Sequence, residues 1–432
     1  MLHENLSVTS DGRLLFAGRD LRSLADKYGT ALYLMDEVHI RRMCRTYVAA
    51  MKKAFGESAR PLYAGKACAF KRLYRIMMEE KMGIDVVSVG EIYTAKSAGF
   101  DLADAYFHSN NKTDEDILFA MENGVGYFVI DNTEEVVAIS RLAGEKGICQ
   151  KILLRITPGI DPHTFEEVAT GKVDSKFGSA IETGQAMEIT RLALNLPHLD
   201  LAGFHCHVGS QVFDSDVFNR SARVMMEFIR SVREETGYLA RELDLGGGYG
   251  VRYVESDPVY SLENCILEVG ETLSAVCREL SLPMPQIRME PGRSIVAASG
   301  LTLYTVGTVK KIPGYKNYVS VNGGMADNPR YALYRSEYTV LLPEKMKEAC
   351  DFSCSVVGCC CESGDILQEN VSLPSSVKRG DLLAVLTTGA YNYSMASHYN
   401  RIPNLPVVML RDGEDYVAVR RETPEDLIRC DL

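Results

Sequence analysis

From about residue 62 the chain alternates short apolar runs with longer amphipathic stretches. The runs are Leu62–Ala64, Ile84–Val87, Ala105–Phe107, Tyr127–Ile130, Ile152–Ile156, Leu201–His205, Leu243–Leu245 and Ile287–Met289. Each suits a buried parallel strand, and the segments between them are long enough for helices. Glu37–Phe55 and Val217–Thr236 carry clear helical spacing. Eight strand–helix repeats predict an α/β fold, a (β/α)8 TIM-like barrel. A doubly wound open sheet is the alternative, because a strand count read from one sequence can slip by one or two.

After about residue 298 the pattern changes. Leu301–Val309, Tyr318–Val321, Ser353–Val357 and Leu382–Leu386 are β-like and are punctuated by Gly and Pro. The pattern predicts a barrel over 36–298 and a mostly β second domain over 299–432. Residues 1–35 join the second domain through Arg13–Phe16 and Ala31–Met35.

Composition narrows the function classes. A chain of 432 residues is too long for one ordinary core. Hydrophobic residues at 46% and charged residues at 24% are ordinary for a soluble globular protein, not a disordered one. The net charge of −11 argues against nucleic-acid binding. It otherwise serves solubility, so an anionic ligand must be drawn by specific Arg, Lys or backbone N–H groups. No run approaches the roughly 20 apolar residues of a membrane span. Met1–Phe16 lacks a signal-peptide pattern, and the 12 cysteines lack framework spacing. The expectation is a cytoplasmic protein with reduced thiols and no membrane or nucleic-acid partner.

Barrel enzymes carry their chemistry at the C-terminal ends of the strands. Lys66 follows the first run, bordered by apolar residues. Desolvation there would make its amine nucleophilic; alone, it reads more readily as an ordinary surface lysine. Gly246-Gly247-Gly248-Tyr249-Gly250 follows the seventh run and exposes backbone N–H groups to an anion, or is a plain tight turn. It lacks the dinucleotide G-x-G-x-x-G spacing. Glu290-Pro291-Gly292-Arg293 follows the eighth run. Glu290 there can pair with a protonated ring nitrogen, and Arg293 can hold a carboxylate, or the two can form an inward salt bridge. His205-Cys206-His207-Val208-Gly209-Ser210 ends the sixth run. It suits a metal, a stacked imidazole or a plain core histidine at 205, with Ser210 free for phosphate. No H-E-x-x-H or paired C-x-x-C builds a zinc site, so no metal is expected. In Cys359-Cys360-Cys361-Glu362, one reactive thiol beside a carboxylate suits acid chemistry, with Cys359 and Cys360 expected buried and inert.

Together these motifs resemble the fold-type III pyridoxal-phosphate-dependent decarboxylases, and within them the diaminopimelate decarboxylase branch. The resemblance rests on ten pieces in order. They are Tyr63–Ala67, His108–Lys112, Arg155–Gly159, Asp174–Gly178, Gly203–Gln211, Leu245–Gly248, Glu290–Arg293, Gly323–Arg330, Cys361–Asp365 and Thr388–Tyr391. It implies an alanine racemase-like architecture and pyridoxal 5'-phosphate carried as an imine on Lys66. It implies that His207 stacks on the cofactor ring and Glu290 partners the ring nitrogen. Asp85, Ser210, Gly247, Gly248, Gly292 and Tyr391 would complete the cofactor site. Arg293, Arg330, Tyr334, Glu362 and Tyr391 would bind an amino-acid substrate, and Cys361 would govern protonation at the substrate carbon. In the family, the Cys-Glu pair comes from the partner subunit, which implies a homodimer with shared sites. Cys359 and Cys360 depart from the residue types expected before Cys361.

The resemblance implies decarboxylation of meso-2,6-diaminopimelate to L-lysine and CO2, the last step of lysine biosynthesis. The distal end of that substrate needs both a cation and an anion, which Arg293, Arg330 and Glu362 supply. The rivals are a decarboxylase of ornithine, arginine or carboxynorspermidine, and an alanine racemase-like enzyme. A cofactor-free imine-forming aldolase and an inactive partner-binding homologue are the others.

Overall fold

The computed structural model describes residues 1–161 and 175–432. It falls into two compact units. One comprises Met43–Gly250 and Tyr260–Ser294; the other comprises Met1–Arg42, Val251–Val259 and Ile295–Leu432.

The first unit is a closed barrel of eight strands. They are β1 (Arg60–Ala64), β2 (Gly83–Val86), β3 (Ala105–Phe107), β4 (Tyr127–Ile130), β5 (Gln150–Thr157), β6 (Leu199–His205), β7 (Glu242–Asp244) and β8 (Gln286–Met289). All neighbours pair in parallel. β8 returns to β1 and β4 joins β5, which closes the ring and excludes the open sheet. The strands are short and buried on both faces, so they read as apolar runs rather than alternating ones. Inward residues Leu62, Tyr106, Val129, Leu153 and Ala202 pack the interior.

Local signals set the helix ends. Ser88 caps α1 (Val89–Ala98), and Gly99 ends it in the left-handed region at φ 88°. Thr113 and Asp116 form a capping box on α2 (Asp114–Glu122). Asp214 caps α3 (Ser215–Thr236), whose buried stripe includes Val217, Met225 and Val232. Only a four-residue helix, Arg293–Val296, follows β8. Residues 43–55 of helix Glu37–Phe55 pack against helix Leu262–Leu280 instead, where a Cβ on Gly270 would press on Ala54.

The second unit is mostly β. Its long strand β9 (Gly300–Lys311) pairs with β10 (Asn317–Val321), with the strand Leu32–Asp36 and with Leu382–Leu386. β11 (Phe352–Val357) runs parallel to β10, and β12 (Ile366–Leu373) folds back on β11. A leucine-rich core including Leu14, Leu32, Leu34, Leu301, Leu303 and Leu386 lies against this sheet. Among the described residues, no helix is long and apolar enough to cross a membrane.

Candidate active site

The strand ends of the barrel carry the candidate residues. Lys66 sits in the short turn Gly65–Ala67 directly after β1, exposed between two buried neighbours. The expectation of a desolvated lysine does not hold for the chain alone, because Lys66 is exposed, although its charge acts on buried Asp85, Glu91 and His207. Asp85 on β2 is fully buried, and among the described residues neither of its carboxylate oxygens has a hydrogen-bond partner. Burial pushes its pKa up to about 6, with the Glu290 charge adding to the rise and His108 and Lys66 opposing it. Glu91, at the start of α1, accepts the Val87 N–H at 2.7 Å, and its pKa is raised by burial.

Glu290 is buried at the end of β8 and touches two imidazoles. His205 Nε2 lies 3.1 Å from Oε2 as a hydrogen bond. His108 Nε2 lies 2.6 Å from Oε1, a close ion-pair contact without hydrogen-bond alignment, and 3.9 Å from Asp85 Oδ1. The two rings meet edge to face at 4.8 Å. Burial alone would raise the Glu290 pKa, but His108 and His205 hold it well below the usual carboxylate range. Burial pushes the His205 imidazole down. Buried Asp244 on β7 is pushed well up by desolvation and by Glu290 beside it.

Behind these lies a cradle of close backbone. Gly246 and Gly248 have φ of 67° and 122°, where a side chain is strained. A Cβ on Gly247 would overlap the Glu290 carbonyl, and one on Gly292 would come within 2.9 Å of the Ala67 Cβ. The Gly247 N–H donates to His207 Nδ1 at 3.3 Å. Desolvation and the nearby charges of Lys66 and Arg155 push the His207 imidazole well down, so it is neutral with Nδ1 as acceptor. Arg293 donates from Nε and Nη2 to Ser210 Oγ at 3.2 and 3.0 Å.

The remaining candidates fall in the second unit, in two groups. Arg330 is buried with its guanidinium 5.5 Å from the Tyr334 ring and 5.4 Å from the Tyr391 ring. Cys361 and Glu362 sit in the turn after β11. There the Cys361 N–H donates to Asn400 Oδ1 at 2.7 Å, and Glu362 Oε1 accepts the Gly364 N–H at 3.0 Å. Buried Asp365 anchors the same turn by accepting the N–H groups of Met325 and Cys360 at 2.6 and 2.7 Å. The expectation that Cys359 and Cys360 are buried is wrong. This turn leaves Cys359 exposed and Cys360 partly so. Burial and the Asp365 charge push the Cys360 thiol up to about 12.

The sequence reading assigned no role to His108, Glu91, Arg155 or Asp244, although His108 and Arg155 open two of the quoted motifs. Arg155 on β5 faces Asp131 at 4.0 Å and stacks on Phe177 at 4.4 Å. Its signal, like that of Asp85 and Asp244, is a charge interrupting an apolar strand. Asp174, in one of the quoted motifs, lies outside the described residues.

Residues 39–297 match the family of the pyridoxal-dependent decarboxylase, pyridoxal binding domain. The chain belongs to the pyridoxal-dependent decarboxylase family. Within that family it is 41% identical over 431 residues to diaminopimelate decarboxylase of Bacillus subtilis (strain 168), covering 100% of this chain and 98% of that one. It is 41% identical over 423 residues to the Staphylococcus aureus (strain COL) diaminopimelate decarboxylase, covering 98% of each. The crystal structure of M. jannaschii diaminopimelate decarboxylase in complex with L-lysine superposes with a TM-score of 0.91 at 31% identity, covering 100% of this chain and 99% of that one.

Proposed function

We propose that this chain is a carboxy-lyase that removes CO2 from meso-2,6-diaminopimelate to leave L-lysine, with pyridoxal phosphate bound at the strand ends of its barrel. One observation carries the reading: a buried Glu290, contacted by His108 and His205, lies beside a glycine cradle, in a chain similar along its whole length to diaminopimelate decarboxylases.

The donor set fits the group. Lys66 would hold the cofactor covalently, and His207 would lie against its ring. Ser210, the backbone N–H groups of Gly247, Gly248 and Gly292, and Tyr391 suit the phosphate; Asp85 completes the pocket wall. Bound pyridoxal phosphate supplies an electron sink for the pair left when CO2 departs. Glu290 favours a proton on the ring nitrogen by opposite charge. Lys66 and Cys361 are the groups able to deliver a proton to the substrate carbon. Arg293, Arg330 and Tyr334 suit the distal carboxylate, and Glu362 the distal ammonium. A homodimer in which Cys361 and Glu362 serve the partner's site, working in the cytoplasm, completes the reading.

The test is CO2 release from meso-diaminopimelate with and without added pyridoxal phosphate. Cofactor-dependent release supports the reading. Release from ornithine or arginine, but not from diaminopimelate, overturns it.

A further inference from the structure

Glu290 is gripped more fully than a partner of a ring nitrogen needs. Its two oxygens face two different imidazoles, one from the end of β3 and one from the end of β6. Both imidazoles are buried, and no role has been given to either. We propose that His108 and His205 are positioning residues that fix Glu290 as an anion, and that through it they keep the cofactor's ring nitrogen protonated. This rests on the reading of Glu290 given above.

Three observations support a clamp over incidental packing. First, a buried carboxylate without partners would take up a proton, since desolvation disfavours its charge. Glu290 does the opposite, and His108 and His205 are the groups that oppose its desolvation. Second, the other groups around Glu290 do not replace them. Asp85 opposes the anion wherever it is charged, and Asp244, itself pushed well up beside Glu290, supplies no cation. Arg155 and Lys66 act on this cluster through their charges, His207 is neutral, and the Arg155 guanidinium faces Asp131 and Phe177. Third, His205 is pushed toward its neutral form by burial. Neutral imidazole with its proton on Nε2 donates to Oε2, and its Nδ1 has no partner in the barrel. The ring therefore spends its only N–H on Glu290.

The direction of the pH effect follows. A carboxylate whose pKa is depressed keeps its charge above that pKa and loses it as pH falls through it. Weakening the clamp moves that loss to higher pH.

The experiment compares His108→Leu, His205→Leu and His205→Gln with wild type. Pyridoxal phosphate affinity is measured by equilibrium dialysis from pH 5.5 to 8.5, beside kcat and KM. Glutamine keeps an N–H that can reach the same oxygen. We expect each leucine variant to bind cofactor roughly 10- to 100-fold more weakly at the acid end, the range for a lost hydrogen bond to a charged group. The gap should narrow toward pH 8.5, kcat should fall more than KM rises, and His205→Gln should recover most of the loss. Leucine variants with the wild-type affinity, pH profile and kcat overturn the clamp. So does a loss of equal size at every pH that glutamine does not recover, which marks a packing role. If wild type binds no pyridoxal phosphate, the reading of the site fails by itself. The clamp is then decided by 13C carboxyl titration of the protein, with Glu290→Gln to assign the signal: a Glu290 pKa unmoved by His205→Leu overturns it.

Discussion

Arg293 gives two of its N–H groups, from Nε and Nη2, to the single hydroxyl oxygen of Ser210. This ties the chain after β8 to the loop after β6. On the proposed reading the Ser210 hydroxyl also serves the cofactor phosphate. Ser210→Ala removes the hydroxyl and with it both of these hydrogen bonds from the buried guanidinium. We expect about a tenfold or larger loss of pyridoxal phosphate affinity, read by dialysis. Arg293→Lys, which cannot make the forked contact, should weaken cofactor and substrate binding together. Unchanged affinity in Ser210→Ala would remove Ser210 from the phosphate site.

Asp85 gives a pH prediction. Its carboxyl has a pKa raised from 3.8 to about 6 by burial and by Glu290, against His108 and Lys66. A raised acid pKa means that the folded protein prefers the neutral form. The group therefore costs nothing at pH 4. Its cost accrues between about 4 and 6 and is complete above pH 6, at about 3 kcal/mol for a shift of that size. Asp85→Asn removes the cost. The cofactor-free protein should melt at a higher temperature than wild type at pH 8 and at a similar temperature at pH 4. Equal melting differences at both pH values would show that Asp85 is not desolvated as the fold has it.

The barrel was legible because its signal is local. Each strand is a short apolar run between capped helices, and Ser88, Thr113 and Asp214 mark helix starts within a residue or two. The clamp was not legible, because its members lie on β3, β6 and β8. His108, His205 and Glu290 meet only when the sheet closes, and nothing in the spacing of the three along the chain says that it does. His205 read as a core histidine, and it is buried as that reading has it. The burial was visible, but its partner was not. Cys359 and Cys360 failed for a different reason. Their apolar character suggested an interior, but Asp365 and Asn400 capture the backbone of the turn and hold its side chains outward.

That same turn separates the roles of the thiols. Cys360 is held as a thiol by burial and by Asp365, whereas Cys361 is exposed with its backbone fixed on Asn400. Cys361→Ala should lower kcat about 100-fold or more if it delivers a proton, while Cys360→Ala should stay within about threefold of wild type. Asn400→Leu, which removes the acceptor, should lower kcat with little change in KM, and Asn400→Asp should restore much of it. Lys66→Ala should abolish turnover. Mixed with Cys361→Ala protein, it should recover up to about a quarter of wild-type activity, since half the random dimers hold one intact site. No recovery after verified subunit exchange rules out a shared site.

On the proposed reading, Arg330 binds the substrate's distal carboxylate. It is buried, Tyr334 and Tyr391 flank its guanidinium, and Nη2 donates to Ser336 Oγ at 3.2 Å. Among the described residues its Nε has no hydrogen-bond partner. A buried guanidinium within about 5.5 Å of two tyrosine rings is held for recognition of a planar anion. Lysine keeps the charge but loses the plane and the fork. Arg330→Lys should therefore raise KM for diaminopimelate about tenfold or more while kcat falls much less, the pattern of lost uniform binding. Glu362→Gln should act on the other end, weakening the hold on the distal ammonium. Discrimination against a diamino acid without the distal carboxylate should then fall in Arg330→Lys and persist in Glu362→Gln. CO2 release measured against both substrates checks this, and a KM left unchanged by Arg330→Lys would remove Arg330 from substrate recognition.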